Sequence, residues 1–276
     1  MKNNRIFIMA TIALLNAFSF VACKKDRITD DTIVAETDKK ASTNYSSTQN
    51  LYEEAYNLVD EQIKQEASLN PRSCPNITIM PTGNTFPKTV TLDYGTGCTT
   101  RMGAAAAGKI TAVLSGTATQ TGTTITVTFT NFVYKGYQLS GTYKVQYTSA
   151  TAFTVQITDG SITNPSSTTY TYSANFVMTQ TGGQTTTFQN TGTSAYLDDV
   201  YSISGSATLK DGSAKSYSAT ITTPLIKKME CQWIVSGVVE VKIGVEPVKK
   251  IDFGTGTCDN QATLTIGRAT TTITLP

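Results

Sequence analysis

From about residue 75 onward, apolar and hydroxyl side chains alternate. "TTITVTFTNF" sets Ile125, Val127 and Phe129 on one side and threonines on the other. "TYKVQY" does the same with Tyr143, Val145 and Tyr147, and "FTVQI" with Phe153, Val155 and Ile157. A period of two is the signature of a strand with one buried and one wet face, as in antiparallel sheets. Threonine is the commonest residue, and its β-branched side chain packs well on a pleated surface. The expected fold is mainly β: an antiparallel meander whose apolar face must be buried. A long meander buries that face by curling into a sandwich or an open barrel, with one N-terminal amphipathic helix against it.

Turn signals punctuate the run at Lys135-Gly136, Asp159-Gly160, Gly182-Gly183, Asp211-Gly212 and Gly267-Arg268. Four segments also line up: "YQLSG" from Tyr137, "YTYSA" from Tyr170, "YSISG" from Tyr201 and "WIVSG" from Trp233. They start 33, 31 and 32 residues apart, and "AVLSG", ending at Gly116, is a partial fifth copy. A repeat of about 32 residues is two strands plus their turns. Each repeat is therefore expected to be one hairpin, with the motif strands parallel to one another. A final hairpin is expected over about 261–275.

Upstream, "NLYEEAYNLVDEQIKQEA" (50–67) places Leu51, Ala55, Leu58, Val59 and Ile63 on one helical face, with Asn50 and Glu53 as a cap and Pro71 as a stop. Residues 24–46 are polar and without period. The chain divides into a signal segment (1–22), a disordered tether (23–46), a helix (47–70) and a β domain (71–276). Residues 1–22 carry Lys2 and Arg5 and then an apolar run, the layout of an export signal. Phe20-Val21-Ala22-Cys23 resembles a bacterial lipobox, which implies lipid attachment at Cys23 and cleavage before it. Lys24 in place of Asp implies, by resemblance to enterobacterial sorting, the outer membrane. "KKDRITDD" resembles a surface-export signal, and Asp31-Thr32-Ile33 resembles a bacterial O-glycosylation acceptor. The domain would face the periplasm or the exterior.

Cys74, Cys98, Cys231 and Cys258 remain, an even number in an exported chain, which reads as disulfides. Three connectivities are possible. "CPNITI" leads to "TVTLDYGTGC", and "CQWIVSG" leads to "KKIDFGTGTC". Two matching modules should each close their own loop, giving Cys74–Cys98 and Cys231–Cys258. Within them, Asp93 and Asp252 precede Gly-Thr-Gly. One carboxylate per copy is thin for Ca²⁺. A glycine turn with the aspartate bonding backbone amides is the expected arrangement. Asp-Phe-Gly at 252–254 lacks the companion motifs of a kinase. A four-thiolate metal site is disfavoured by the long spacings.

Composition excludes whole classes of chemistry. The chain has no histidine, so no Ser-His or Cys-His nucleophile exists and the commonest metal ligand is missing. No cofactor or metal is expected. Removing residues 1–22 leaves twenty basic against twenty acidic residues, a balance that argues against nucleic acid. The membrane, through the lipid, is the expected partner, with a glycan or another envelope protein beside it.

The lipobox at Cys23, "NLYEEAYNLVD", "TVTLDYGTGC", "NFVYKGYQLSGTY" and the closing "WIVSGVVEVK…IDFGTGTCDNQATLTI" together resemble a group of uncharacterised β-rich lipoproteins of Gram-negative bacteria. That resemblance implies an exported β domain and transfers no activity. The leading functional expectation is a non-enzymatic, structural or adhesive envelope protein presenting a Thr/Tyr-rich face. The alternatives are a carrier enclosing an apolar ligand, and a glycan hydrolase drawing two acids from Asp93, Asp159, Asp198, Asp199 and Asp252. Trp233 is expected in the core.

Overall fold

The computed structural model describes residues 36–64, 74–100, 103–184, 197–212 and 215–275. Cys23, the export segment and the acceptor-like Asp31-Thr32-Ile33 lie outside the described residues. A single helix, α1 (Glu36–Lys64), precedes thirteen strands among the described residues. They are β1 (Asn76–Met80), β2 (Lys88–Thr99), β3 (Ala105–Leu114), β4 (Thr124–Tyr134), β5 (Tyr137–Tyr147), β6 (Ala152–Thr163) and β7 (Thr169–Gly182). Then come β8 (Val200–Lys210), β9 (Ser216–Lys228), β10 (Ile234–Ile243), β11 (Lys249–Thr255), β12 (Gln261–Ile266) and β13 (Ala269–Thr274). All pair antiparallel with their chain neighbours in one sheet, in the order β1 to β13.

The meander and the final hairpin are as expected. The sandwich or barrel is not formed: there is one sheet, and β1 and β13 are edges that do not meet. Each strand pairs only with its sequence neighbours, and no described pairing joins β1 to β13.

The inner face carries one continuous apolar cluster, from Val90 on β2 to Leu264 on β12 and Ile273 on β13. Helix α1 covers its middle. Leu51, Ala55, Leu58 and Val59 are buried as their spacing predicts, and Tyr52 and Tyr56 are buried with them. Tyr52 stacks on Tyr172 of β7 at 5.7 Å and meets Phe129 of β4 edge-on at 6.0 Å. Its hydroxyl donates to the Ser140 carbonyl of β5 at 2.7 Å. Tyr56 stacks on Tyr143 of β5 at 5.0 Å. The helix begins at Glu36, inside the segment read as tether. Once a packed turn exists, each added residue gains a hydrogen bond at little further entropic cost, so helix extends through sequence with no apolar period.

The strands are long and interrupted. Register shifts occur in every strand pair from β2/β3 to β10/β11. They mark β-bulges, which bend a strand and increase its twist. Gly141 has φ +100, and a Cβ there would stand 2.6 Å from the Asp159 carbonyl of β6. Gly205 has φ +131 and lies equally tight against Asn175 of β7. The Ser-Gly of the repeated motif is thus a bulge position on β5, β8 and β10. Asp159-Gly160 is a correction: it lies inside β6, with Asp159 at φ 51, because a left-handed residue before glycine serves a bulge as well as a hairpin turn.

The hairpin repeat is also corrected. The motif opens β5 and β7, which run the same way, but β8 follows β7 directly and runs opposite. From Tyr170 to the start of β8 the described residues hold one strand, β7, where the repeat predicts a full hairpin. "AVLSG" lies at the far end of β3, with Gly116 beyond it. Near-constant spacing therefore does not mean constant topology.

Candidate functional site

The sheet offers two surfaces. Beneath α1, Gln49 and Glu53 of the helix face Tyr143, Val155, Ile157, Phe176, Met178 and Ile203 of β5 to β8, around a crevice the size of a single water molecule. Burial raises the pKa of the Glu53 carboxyl. The Gln49 amide, which donates to it at 2.9 Å, and the Lys227 charge partly offset that rise. Burial lowers the pKa of Lys227 on β9, whose ammonium also donates to the Cys231 and Gln232 carbonyls. This links the helix to the second disulfide module. At the edge of the same surface, Asp199 accepts from the Gln180 amide at 2.7 Å and from the Tyr201 hydroxyl at 3.2 Å. Burial, and then the Asp199 charge, push the Tyr201 phenol up. These hydrogen bonds satisfy polar groups within the helix and within the sheet, and the Glu53–Lys227 charge pair is the one of these contacts that crosses between them.

The outer face is different in kind. Cross-strand register aligns Thr78, Thr91, Thr111, Thr128, Thr142 and Thr158 as one rung across β1 to β6. Neighbouring strands lie about 4.8 Å apart, so the hydroxyls repeat at that interval. The adjacent rung runs through all thirteen strands, from Met80 to Thr270, and mixes hydroxyls such as Thr126 and Thr220 with the charged Lys144, Glu240 and Lys250. Val113 and Val177 are its exposed apolar members or neighbours. The expectation of tyrosine on this face is corrected. Tyr52, Tyr56, Tyr94, Tyr134, Tyr143, Tyr147, Tyr172 and Tyr217 are buried, because a large ring gains most where the helix meets the sheet. Trp233 is half-buried against the core cluster.

Cys74 is bonded to Cys98 and Cys231 to Cys258. Each bridge ties the open end of one hairpin, β1–β2 or β10–β11. In both modules the aspartate bonds the backbone two residues on: Asp93 accepts from the Gly95 amide at 2.9 Å and Asp252 from that of Gly254 at 3.0 Å. Gly95 and Gly254 have φ 56 and 84. Lys109 also pairs with Asp93 at 3.0 Å. Among the described residues no three His, Cys, Asp or Glu side chains cluster as a metal site would require.

The candidate acids are scattered along the sheet. Asp93 is on β2, Asp159 on β6, Asp198 and Asp199 precede β8, and Asp252 is on β11. Four strand steps, about 19 Å along a sheet, separate β2 from β6, against the roughly 5–10 Å that paired glycosidase carboxylates require. The sequence marked Glu53 as a cap with Asn50, which the helix start at Glu36 corrects, and it did not single out Lys227 or the threonine rung. The rung's signal was present in each strand, but bulges hide its register.

No family model, curated protein or solved structure matches this chain.

Proposed function

We propose that this chain is a lipid-anchored, non-enzymatic protein of the cell envelope that adheres through the outer face of its sheet to a polyhydroxylated partner, an envelope glycan. The observation that carries this reading is the division of the two faces. Most of the rings are turned inward, and over β1 to β6 the outer face carries a regular row of threonine hydroxyls, with charged side chains such as Lys144, Glu240 and Lys250 on the neighbouring rung. Such a surface suits many weak hydrogen bonds to a repeating polar polymer. The lipobox-like stretch at Cys23 supports attachment to the outer membrane, and two disulfides support an oxidising compartment.

The shape that goes with this reading is an open, gently bent trough. Bulges cross most strands near mid-length, and bulges bend strands. Val241, Leu264 and Ile273 on β10, β12 and β13 are buried in the same apolar cluster as the strands under α1, as a sheet bent toward its own inner face would have them.

The test is co-sedimentation of the full chain with insoluble cell-wall glycan. The wild-type chain is expected to pellet, and the triple variant Thr111→Glu, Thr128→Glu, Thr142→Glu to lose binding at least tenfold with an unchanged far-ultraviolet spectrum. A wild-type chain that stays in the supernatant would reject the reading. The apolar lining of the helix crevice favours a second reading, a carrier whose helix lifts to admit an apolar ligand. Saturable uptake of a fluorescent fatty acid would support it over the first. Protease shaving of intact cells separates a surface domain, which is cut, from a periplasmic one, which is cut only after lysis.

A further inference from the structure

The two edges of the sheet are unlike. β1 has five residues, with Pro75 just before it and Pro81 just after it, and a disulfide at one end. Prolines and short length are the usual ways in which an exposed edge is kept from pairing. β13 is nearly as short, but it has no proline within it or directly beside it and no disulfide at its end. It has six residues, ATTTIT, without proline or charge, and it pairs with β12 with no register shift.

The backbone of β13 shows which groups face outward. The Leu275 amide donates to the Asn260 carbonyl at 2.7 Å, so Leu275 belongs to a hydrogen-bonded pair with the β12 side. Such pairs alternate along an antiparallel ladder. The amides and carbonyls of Ala269, Thr271 and Ile273 therefore turn toward β12. Those of Thr270, Thr272 and Thr274 turn to the free edge, which no described element occupies.

We propose that this edge pairs with β13 of a second copy of the chain, antiparallel about a two-fold axis at Thr272. With Thr272 opposite its own copy, Thr270 falls opposite Thr274. All three outward-facing residues then meet outward-facing residues, and every pair exchanges backbone hydrogen bonds. The register keeps the faces in step: hydroxyl meets hydroxyl outside, and Thr271 meets Ile273 inside. Neither β12 nor β13 carries a charged side chain, so self-pairing sets no like charges against each other across the axis. An occupant of this edge must be a short, uncharged, extended strand, and the chain's own β13 is one. The paired sheet would carry the hydroxyl rungs of two copies side by side.

The experiment uses the full chain. Thr272→Cys is expected to form a cross-linked dimer on oxidation, because the Cα atoms of a hydrogen-bonded pair lie about 5.5 Å apart, within disulfide range. Thr263→Cys, one strand inward on the same face, is expected to stay monomeric. Thr272→Pro removes an outward amide that β12 does not use. It is expected to weaken dimerisation more than tenfold by light scattering, with no change in melting temperature. A wild-type chain that is monomeric at all concentrations and gives no Thr272→Cys cross-link would overturn the proposal. So would a dimer that survives Thr272→Pro, equal cross-linking at position 263, or cross-linking of Thr272→Cys to Thr78→Cys at the β1 edge.

Discussion

The middle of this sheet is held by a helix and its flanks by covalent bonds. Over β4 to β7, α1 lays Tyr52 and Tyr56 onto Phe129, Tyr143 and Tyr172. At β1–β2 and β10–β11, where the helix makes no such aromatic contact, a disulfide ties each hairpin. The difference shows two ways of holding a wide, open sheet: packed rings in the middle and a covalent tie at each flank, although the helix still reaches β2. The second flank adds an ion network, with Glu246 bridging Lys215 at 2.6 Å and the buried Lys249 at 2.8 Å.

The largest effect should come from the middle. Tyr52→Ala removes a fully buried ring and its hydrogen bond to the Ser140 carbonyl, and is expected to cost about 4 kcal/mol in urea denaturation. A loss under about 1 kcal/mol would mean that the helix is not the second layer of the core. Next come the flanks. Opening either bridge as a paired Cys→Ser variant should cost about 3 kcal/mol. Hydrogen exchange should rise first in the hairpin concerned and not in β5–β7. Uniform acceleration across the sheet would erase the distinction between flank and middle.

Gly141→Ala should cost about 2 kcal/mol, from its left-handed backbone and the nearby Asp159 carbonyl. The exposed neighbour Ser140→Ala should change stability by less than about 0.5 kcal/mol. If the two are equal, the Ser-Gly motif is not a bulge device.

The smallest effect is electrostatic. The Glu53 carboxyl has a raised pKa, chiefly from burial, against the opposing charge of Lys227 and the like charge of Glu54. A raised carboxyl pKa contributes stability that is full below the unfolded value and is lost as pH rises through the folded one. Glu53→Gln should therefore match wild type near pH 4 and exceed it in stability at pH 8. Parallel pH curves for the two proteins would show that Glu53 is not buried against the sheet.

Much of the fold could be read from residues alone. Alternation located the strands, and the helical face at Leu51, Ala55, Leu58 and Val59 was marked by its period. The shared Asp-aromatic-Gly-Thr-Gly ending indicated which cysteines join. What stayed hidden was non-local. Asp159-Gly160 looks the same in a turn and in a bulge, since both need a left-handed residue before glycine. The spacing from Tyr170 to Tyr201 could not reveal that β8 pairs directly with β7 and so runs opposite to it. Tyr52 and Glu53 stand next to each other in sequence, and only docking makes one an anchor and the other a half-buried acid. The threonine rung depends on register, which the bulges reset at strand after strand.

The central claim is that the outer face is the working surface. Thr128→Cys, in the middle of the rung on β4, tests it by maleimide labelling in osmotically opened cells and in the purified chain. The account predicts rapid labelling of the purified protein and strong protection in the envelope. Equal labelling in both would mean that nothing occupies that face, and would contradict the account.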